Sequence, residues 1–160
     1  MTTSGDEIQV VIFSVGDQLF AFEIGQVDRI LRYATPTSLP NAAEFLEGVI
    51  PYDDGMAPVV DLRKRLGFTP DIGDETRLII LRIDDHPVGV LVDHVQEVHR
   101  LDAGAITAPP AMVRGLAAKY IAGLLSHNSD TVVMLNAGKL FSSTERLQLT
   151  DAGAKAGSEA

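Results

Sequence analysis

Histidines are the residues in this sequence best suited to metal binding or proton transfer, and there are four of them. His94 and His99 lie five positions apart. That spacing would not bring them to one face of a helix, and on a strand it would point them to opposite faces. Because a metal site needs converging ligands, the spacing favours surface histidines and predicts no metal. The other two histidines are His86 and His127.

The carboxylate and hydroxyl side chains also do not form a catalytic motif. General acid–base work requires carboxylates that converge across a cleft, whereas Asp53-Asp54 and Asp84-Asp85 are chain neighbours of the kind that solvate turns. Ser126 directly precedes His127, but a catalytic serine needs a base placed across space and a third residue to orient it. The sequence lacks glycine-rich phosphate-binding motifs and cysteine, so phosphate cradles, disulfides and thiolate sites are not indicated. We therefore predict no catalytic residue, no cofactor and no enzymatic activity.

Charge and composition narrow the class of protein further. The 160 residues carry 13 Lys and Arg against 22 Asp and Glu, a net charge of −9, which argues against nucleic acid and anionic membranes as partners. The segment Met1–Glu7 lacks the basic and apolar regions of a signal peptide. No run approaches the roughly 18 apolar residues of a membrane span. We expect a soluble cytoplasmic protein with a disordered leader at 1–7 and a flexible tail at 151–160.

The secondary-structure elements that carry these histidine, carboxylate and hydroxyl side chains are predicted to be mainly short strands. Ile8–Val15 and Gln18–Ile24 flank the turn signal Gly16-Asp17 and predict a β-hairpin. Leu78–Ile83 and His86–Val92 predict a second hairpin of the same kind. Further strands are predicted at 56–60, 120–125 and 131–135, and short helices at 41–47, 61–66 and 137–147.

The two hairpins belong to an internal repeat. When the sequence is aligned with itself at an offset of 68 residues, Phe22 matches Val90. Beyond the hairpins, an offset of 75 residues matches Gly48 with Gly123 and Asp61 with Asn136. The seven additional residues fall in the loop containing Pro109-Pro110. Two copies of one unit, closed to avoid open edges, predict two small five-stranded barrels with short helices. The alternative is one continuous β-sandwich. We expect a single domain over 8–150, with intertwined halves at about 8–76 and 77–147.

The order of motifs resembles the CheW family of chemotaxis adaptors and the related regulatory domain of the CheA histidine kinase. The similarity runs from about Ile8 to about Leu147 and rests on Phe13–Asp17, Phe20–Ile24, Val27–Ile30, Leu39-Pro40, Phe45–Ile50, Pro58–Arg63, Val88–Asp93 and Tyr120–Gly123. The resemblance implies two SH3-like barrels sharing a hydrophobic core. It also implies a scaffold without cofactor or catalysis, which couples the cytoplasmic tips of chemoreceptors to the regulatory domain of a CheA-type kinase at membrane-associated arrays.

Two positions depart from the family pattern in a correlated way. Where the family commonly has Glu in Val-x-Glu-Ile, this sequence has Arg29, and where it has Arg in Asn-Leu-Arg-Gly, this sequence has Asp53. In the family these two residues lie together in the receptor-binding region. The double change predicts an attractive pair of reversed polarity, which would disfavour receptors matched to the usual polarity. The alternative is independent surface drift.

Four further residues carry over as candidate partner-binding positions. Val27 and Val98 correspond to apolar positions of the receptor-binding groove, or alternatively are ordinary core residues. Gly48 and Gly123 begin strands beside binding surfaces, or alternatively serve only the backbone conformation.

Three other functions remain open from the sequence. One is an adaptor of a parallel pathway, for pilus-based motility or another output. Another is a regulatory domain excised from a kinase. The third is a ligand-binding or hydrolytic β-barrel, which predicts a deep pocket with converging polar groups rather than barrels filled by Phe, Val, Ile and Leu.

Overall fold

The computed structural model describes residues 6–108 and 119–159, and strands dominate that part of the chain. The strands, in chain order, are β1 (Glu7–Val15), β2 (Gln18–Glu23), β3 (Val27–Arg32), β4 (Leu46–Tyr52), β5 (Gly55–Asp61), β6 (Arg77–Ile83), β7 (His86–Val92), β8 (His94–Asp102), β9 (Ile121–His127) and β10 (Asp130–Leu135). The helices are α1 (Leu62–Arg65) and α2 (Ser143–Glu159), with 3-10 turns at Ile24–Gln26, Ala103–Ala105 and Ala137–Lys139.

The strands form two five-stranded sheets that exchange hairpins. Sheet A has the order β8-β1-β2-β10-β9, and sheet B has the order β3-β6-β7-β5-β4. Each hairpin, β1–β2 or β6–β7, therefore joins three strands from the other half of the sequence. On one side of each hairpin the connection is the parallel pairing of β2 with β10 or of β7 with β5. On the other side it is the antiparallel pairing of β1 with β8 or of β6 with β3. The predicted mainly β class with two five-stranded units is confirmed.

The internal repeat is visible in matching structural details. Adding 75 to the bounds of β4, 46–52, gives those of β9, 121–127. The side chains of Asp61 and Asn136 each accept a hydrogen bond from the backbone N–H two residues ahead, capping α1 and the turn at 137–139. The predicted insertion at Pro109-Pro110 lies outside the described residues.

A single apolar cluster lies between the two sheets. It contains Phe13 and Phe22 from sheet A and Ile79 and Val90 from sheet B, all fully buried. The rings of Phe13 and Phe22 stack with centroids 5.1 Å apart. Smaller clusters fill the space enclosed by each sheet. The apolar residues that the two hairpins turn inward are buried, among them Phe20, Phe22, Ile80, Val88 and Val90.

Arg63 ties both sheets together from a fully buried position. Its Nε and Nη2 donate to the two carboxylate oxygens of Asp61 at 2.8 and 2.9 Å, and its Nη1 donates to Asp93 Oδ1 at 3.1 Å. The other oxygen of Asp93 accepts the N–H of Gly16, in the β1–β2 turn, at 2.7 Å. Hydrogen bonding to Asp61, followed by that to Asp93, raises the pKa of Arg63 despite its burial. Such a buried cation is tolerated because it is paired and hydrogen-bonded.

The C-terminal segment is the main difference from the sequence-based expectation. Residues 151–159, predicted to be a flexible tail, continue α2, and the predicted helix at 137–147 is broken before Ser143. The break arises because Ser142 and Glu145 cap the helix reciprocally. Small residues then let α2 approach β5: Ala152 is buried, and a Cβ on Gly153 would lie 3.4 Å from the carbonyl oxygen of Met56.

A partly buried ion pair anchors the start of α2. Arg65 donates two hydrogen bonds to Glu145, at 3.0 and 3.1 Å, while its guanidinium lies over the rings of Phe45 and Phe141. Burial by itself raises the pKa of Glu145, but the hydrogen bonds from Arg65 and from the Ser142 N–H outweigh it and hold that pKa below its usual range.

The helix predicted at 41–47 is also wrong. Asn41 has a positive φ of 58°, and β4 already begins at Leu46. Among the described residues, none of the helices has the length and apolar character needed to cross a bilayer.

Candidate partner-binding surface

Arg29 and Asp53 lie together on the surface of sheet B. Arg29 Nη2 is 3.8 Å from Asp53 Oδ1, and the side chains are 58% and 56% exposed. A β-bulge between Val27 and Arg29 turns the strand here, while Asp53 occupies the β4–β5 turn with a φ of 50°. The predicted proximity of the two charges on one face is confirmed.

Residues missed by the sequence analysis hold this pair in place. The Arg29 guanidinium lies over the Tyr52 ring, 5.3 Å from its centroid, and the Tyr52 hydroxyl donates a hydrogen bond to Asp28. Arg82 Nε reaches the other carboxylate oxygen of Asp28 at 3.7 Å. Burial, followed by the hydrogen bond to Asp28, raises the pKa of Tyr52 to about 12. Tyr52 therefore remains a hydrogen-bond donor at neutral pH, and Arg29 rests on a fixed platform.

The two valines have different environments. Val27 is partly buried and packs against the shared core, whereas Val98 is 48% exposed on β8 of the other sheet. The repeat explains the difference. A shift of 68 pairs Val27 with Val95, which also packs against the core, and pairs Ile30, 37% exposed, with Val98. The exposed apolar positions on these edge strands are therefore Ile30 and Val98.

Gly48 and Gly123 are both buried beneath crossing backbone. Gly48 has a φ of 145°, and a Cβ there would lie 2.3 Å from the carbonyl oxygen of Thr37. A Cβ on Gly123 would lie 2.6 Å from Ile106 Cγ2 and 3.0 Å from the Thr107 carbonyl oxygen. The geometry gives both glycines a conformational role, because each lets a crossing segment pair with its strand. Neither begins a strand as predicted, since each is the third residue of β4 or β9.

The edge strands of each sheet meet through side chains. In sheet B, Asp28 and Arg29 of β3 contact Tyr52 and Asp53 at the end of β4. In sheet A, Glu97 of β8 contacts His127 at the end of β9, with Oε1 and Nε2 2.6 Å apart. These edges are the first and last strands of their sheets. Each sheet is therefore curled, and the space it encloses is occupied by apolar side chains.

The described part of the chain offers no group of three or more His, Asp or Glu side chains arranged to hold a metal ion. His94, one of the histidines considered above, instead pairs with Glu75, its Nδ1 lying 3.3 Å from the carboxylate. The surface at Arg29 and Asp53 combines a pair of exposed charges with the exposed apolar side chain of Ile30, next to Arg29 on β3. That combination suits recognition of another protein.

Comparison with known proteins agrees with this interpretation. A sequence model of the CheW-like domain matches residues 9–145. Chemotaxis protein CheW of Treponema pallidum is 27% identical, the match covering 94% of this chain and 92% of the relative. Chemotaxis protein CheW of Klebsiella aerogenes is 31% identical, with 96% and 91% covered. The crystal structure of the scaffolding protein TtCheW from Thermoanaerobacter tengcongensis superposes with a TM-score of 0.77 at 28% identity, over 84% of this chain and 92% of the other. The chain belongs to the CheW-like domain family.

Proposed function

We propose that this protein is a non-catalytic adaptor of bacterial chemosensory signalling, which couples chemoreceptors to a CheA-type histidine kinase. The observation that carries the proposal is the extent of the family match. It spans both sheets, at residues 9–145, and the similarity covers 91% and 92% of two curated chemotaxis CheW proteins. Matches over nearly the full length of such proteins support an adaptor rather than an excised kinase domain. A cytoplasmic location at receptor arrays follows from this role.

The surface at Arg29 and Asp53 is proposed to face the chemoreceptor tip. Both side chains are more than half exposed, so their own attraction contributes no more than about 1 kcal/mol to folding. Their effect on partner choice is larger, because unmatched charges at an interface cost more than a solvated pair gains. With the polarity reversed relative to the family pattern, the surface selects receptors that carry the complementary arrangement of charges.

The platform beneath the pair supports this role. Tyr52 is 6% exposed, and its hydroxyl is engaged by Asp28. Arg29 therefore loses little side-chain freedom on binding, because the ring already restricts it. Val98 offers an exposed apolar contact for the same receptor, whereas Val27 acts through the packing beneath the surface. Gly48 and Gly123 act indirectly by setting the shape of the strands that contain them.

The receptor assignment is tested by a double-mutant cycle on Arg29→Glu and Asp53→Arg. Binding of the purified chain to a cytoplasmic-tip fragment of the cognate receptor is measured at two salt concentrations. Each single variant is expected to weaken binding about tenfold, with a smaller loss at high salt. The double variant is expected to recover part of the affinity, and to gain affinity for receptors matched to the usual polarity.

A matched control is available elsewhere on the surface. Lys64 of α1 and Glu47 of β4 form another surface pair, 2.8 Å apart and 56% and 26% exposed. Lys64→Glu and Glu47→Lys should leave receptor binding unchanged. Additive effects at Arg29 and Asp53, with no new receptor bound by the double variant, would mean that the charge reversal is surface drift.

The adaptor role itself is tested by affinity capture with this chain as bait. Capture of a CheA-type kinase together with a chemoreceptor is the expected result. Reconstituted kinase activity should depend on this chain when receptors are present. Failure to bind the regulatory domain of the cognate kinase at micromolar concentrations would overturn the proposal.

A further inference from the structure

Basic side chains are concentrated in one cleft of a chain that is acidic as a whole. The protein carries 22 Asp and Glu against 13 Lys and Arg. Four of those 13 basic residues line a cleft of about 630 Å³ at the start of α2, namely Arg65, Lys119, Lys139 and Arg146. Among the described residues that line this cleft, the acidic one is Glu145. The cleft, called the basic cleft below, therefore has a local excess of positive charge.

The two arginines of the basic cleft already have partners. Arg65 donates two hydrogen bonds to Glu145, at 3.0 and 3.1 Å, so these two charges cancel. Arg146 donates through Nη2 to the carbonyl oxygen of Gly138, and its Nη1 lies 3.8 Å from Asp84 Oδ1. Both guanidinium groups are thus engaged by neighbouring groups of the chain, and the excess charge lies mainly on the two lysines.

Lys119 and Lys139 leave the basic cleft with uncompensated charge. Both residues are exposed. In the part of the chain that the structure describes, neither lysine forms an ion pair with an acidic side chain, unlike the two arginines of the cleft. Lys119 also marks a reversal of charge between the two halves of the sequence, because the offset of 75 residues matches it with Glu44.

The same offset explains why Lys139 has no partner. It matches Lys139 with Lys64, whose Nζ lies 2.8 Å from Glu47 Oε2. The residue matched with Glu47 is Ala122, on β9. The first half of the chain therefore neutralises its lysine, whereas the second half lacks the acidic partner. Like charges gathered without compensation repel each other and destabilise the folded state, so this difference does not serve folding.

We propose that the basic cleft binds an acidic segment of a partner protein. Buried Tyr120 and Phe141 line the cleft, and beside such residues charges are less screened by solvent. Neither guanidinium is free to grip a phosphate with two parallel hydrogen bonds. The free charges are ammonium groups on two separate segments, one just before β9 and one in the 3-10 turn at Ala137–Lys139. Point charges placed in this way suit carboxylates spaced along a peptide.

The residues of the basic cleft are separate from the surface at Arg29 and Asp53, so this contact adds to the one with the receptor. Complementary charge at a second surface would speed encounter with an acidic partner and discriminate against basic ones. The net charge of −9 on the whole chain makes nucleic acid a poor occupant of the same cleft.

The direct test measures fluorescence anisotropy of a labelled hexaglutamate peptide with the full chain. The unmodified protein is expected to bind it saturably, and more weakly as the salt concentration is raised. Lys119→Glu is expected to weaken binding about tenfold. Ala122→Glu, which supplies Lys139 with the counterpart of Glu47, should produce a similar loss. Positions 119 and 122 are exposed, so neither substitution disturbs the core.

The matched control is Arg100→Glu, at a 63% exposed position on β8. It changes the net charge by the same amount as Lys119→Glu and should alter the affinity by less than about twofold. An equal loss in both variants, or no saturable binding up to millimolar peptide, would overturn the proposal. Displacement of the labelled peptide by sodium tripolyphosphate at lower concentrations than by unlabelled hexaglutamate would assign the cleft to a phosphate ligand instead.

A second measurement requires no variant. Reductive methylation of the unmodified protein, followed by mass spectrometry, gives the reaction rate of each lysine with and without the hexaglutamate peptide. Lys119 and Lys139 are expected to react several-fold more slowly when the peptide is bound. Rates at both lysines that do not change with the peptide would contradict the binding site. Neither measurement uses a receptor or kinase, so the proposed function is tested separately.

Discussion

At the scale of single residues, Arg63 shows how much of this structure depends on one side chain. The resemblance placed it in the family motif Asp61-Leu62-Arg63, but the sequence did not indicate its environment. It is 1% exposed and joins the start of α1, the β7–β8 junction at Asp93 and the carbonyl oxygen of Asp71. Removing this cation would leave the buried Asp61 carboxylate without its counter-charge.

Arg63→Met is therefore expected to destabilise the protein by about 3–5 kcal/mol, because the Asp61 carboxylate, 4% exposed, would lose its counter-charge. Urea unfolding at pH 7 measures the change. Arg100→Met, at a 63% exposed position, is the control and should cost less than about 1 kcal/mol. Equal effects at the two positions would show that the buried network does not stabilise the fold.

At the scale of elements, the strands depend on where connecting segments can cross them. Thr37 pairs with Val49 next to Gly48, and Thr107 pairs with Leu124 next to Gly123. The paired glycines that supported the repeat in the sequence therefore occupy equivalent structural positions. Their strain differs, since only Gly48 combines a positive φ with an approach to backbone.

Alanine at these glycines should produce a graded loss of stability. Gly48→Ala is expected to cost about 2–3 kcal/mol, because the backbone conformation is strained for alanine and the Thr37 carbonyl oxygen cannot easily move. Gly123→Ala should cost less, since Gly123 does not share the positive φ of Gly48 and its nearest backbone atom, the Thr107 carbonyl oxygen, is farther away at 3.0 Å. Gly55 is the control, because a Cβ added there would meet no atom within 4 Å. Chemical denaturation measures the order of the three stability losses. A Gly48→Ala variant as stable as the unmodified protein would contradict the prediction.

At the scale of the whole molecule, the exchange of hairpins makes the two sheets interdependent. Each sheet takes strands from both halves of the chain, and the main apolar cluster contains residues from both. Loss of packing in one sheet is therefore transmitted to the other. Under the proposed function, this arrangement would hold the two partner-binding surfaces in a fixed relation to each other.

Phe22→Ala is expected to destabilise the whole protein by about 3–5 kcal/mol, as large truncations in cores do. Phe22 is fully buried and stacks on Phe13 in the shared cluster. Unfolding should remain a single cooperative transition, with the same midpoint by circular dichroism and by tyrosine fluorescence. Two separated transitions would show instead that the sheets unfold independently.

Much of the architecture was determined by the sequence alone, because its signals are local. Alternating apolar residues around Gly16-Asp17 and Asp84-Asp85 predict the hairpins, and two constant shifts predict the repeat. The charge pair was also predictable, although only through the family resemblance. Arg29 and Asp53 are 24 positions apart, and nothing in their spacing requires them to meet.

Tertiary structure alone decided the features that depend on contacts between distant segments. The tail composition of 151–159 predicts weak burial, yet the small side chains of Ala152 and Gly153 allow close packing of α2 on β5. The contact between His99 and His127 exists because curling brings the two edge strands of sheet A together. Periodicity encodes which face of an element is apolar, but which elements meet is set by long-range packing.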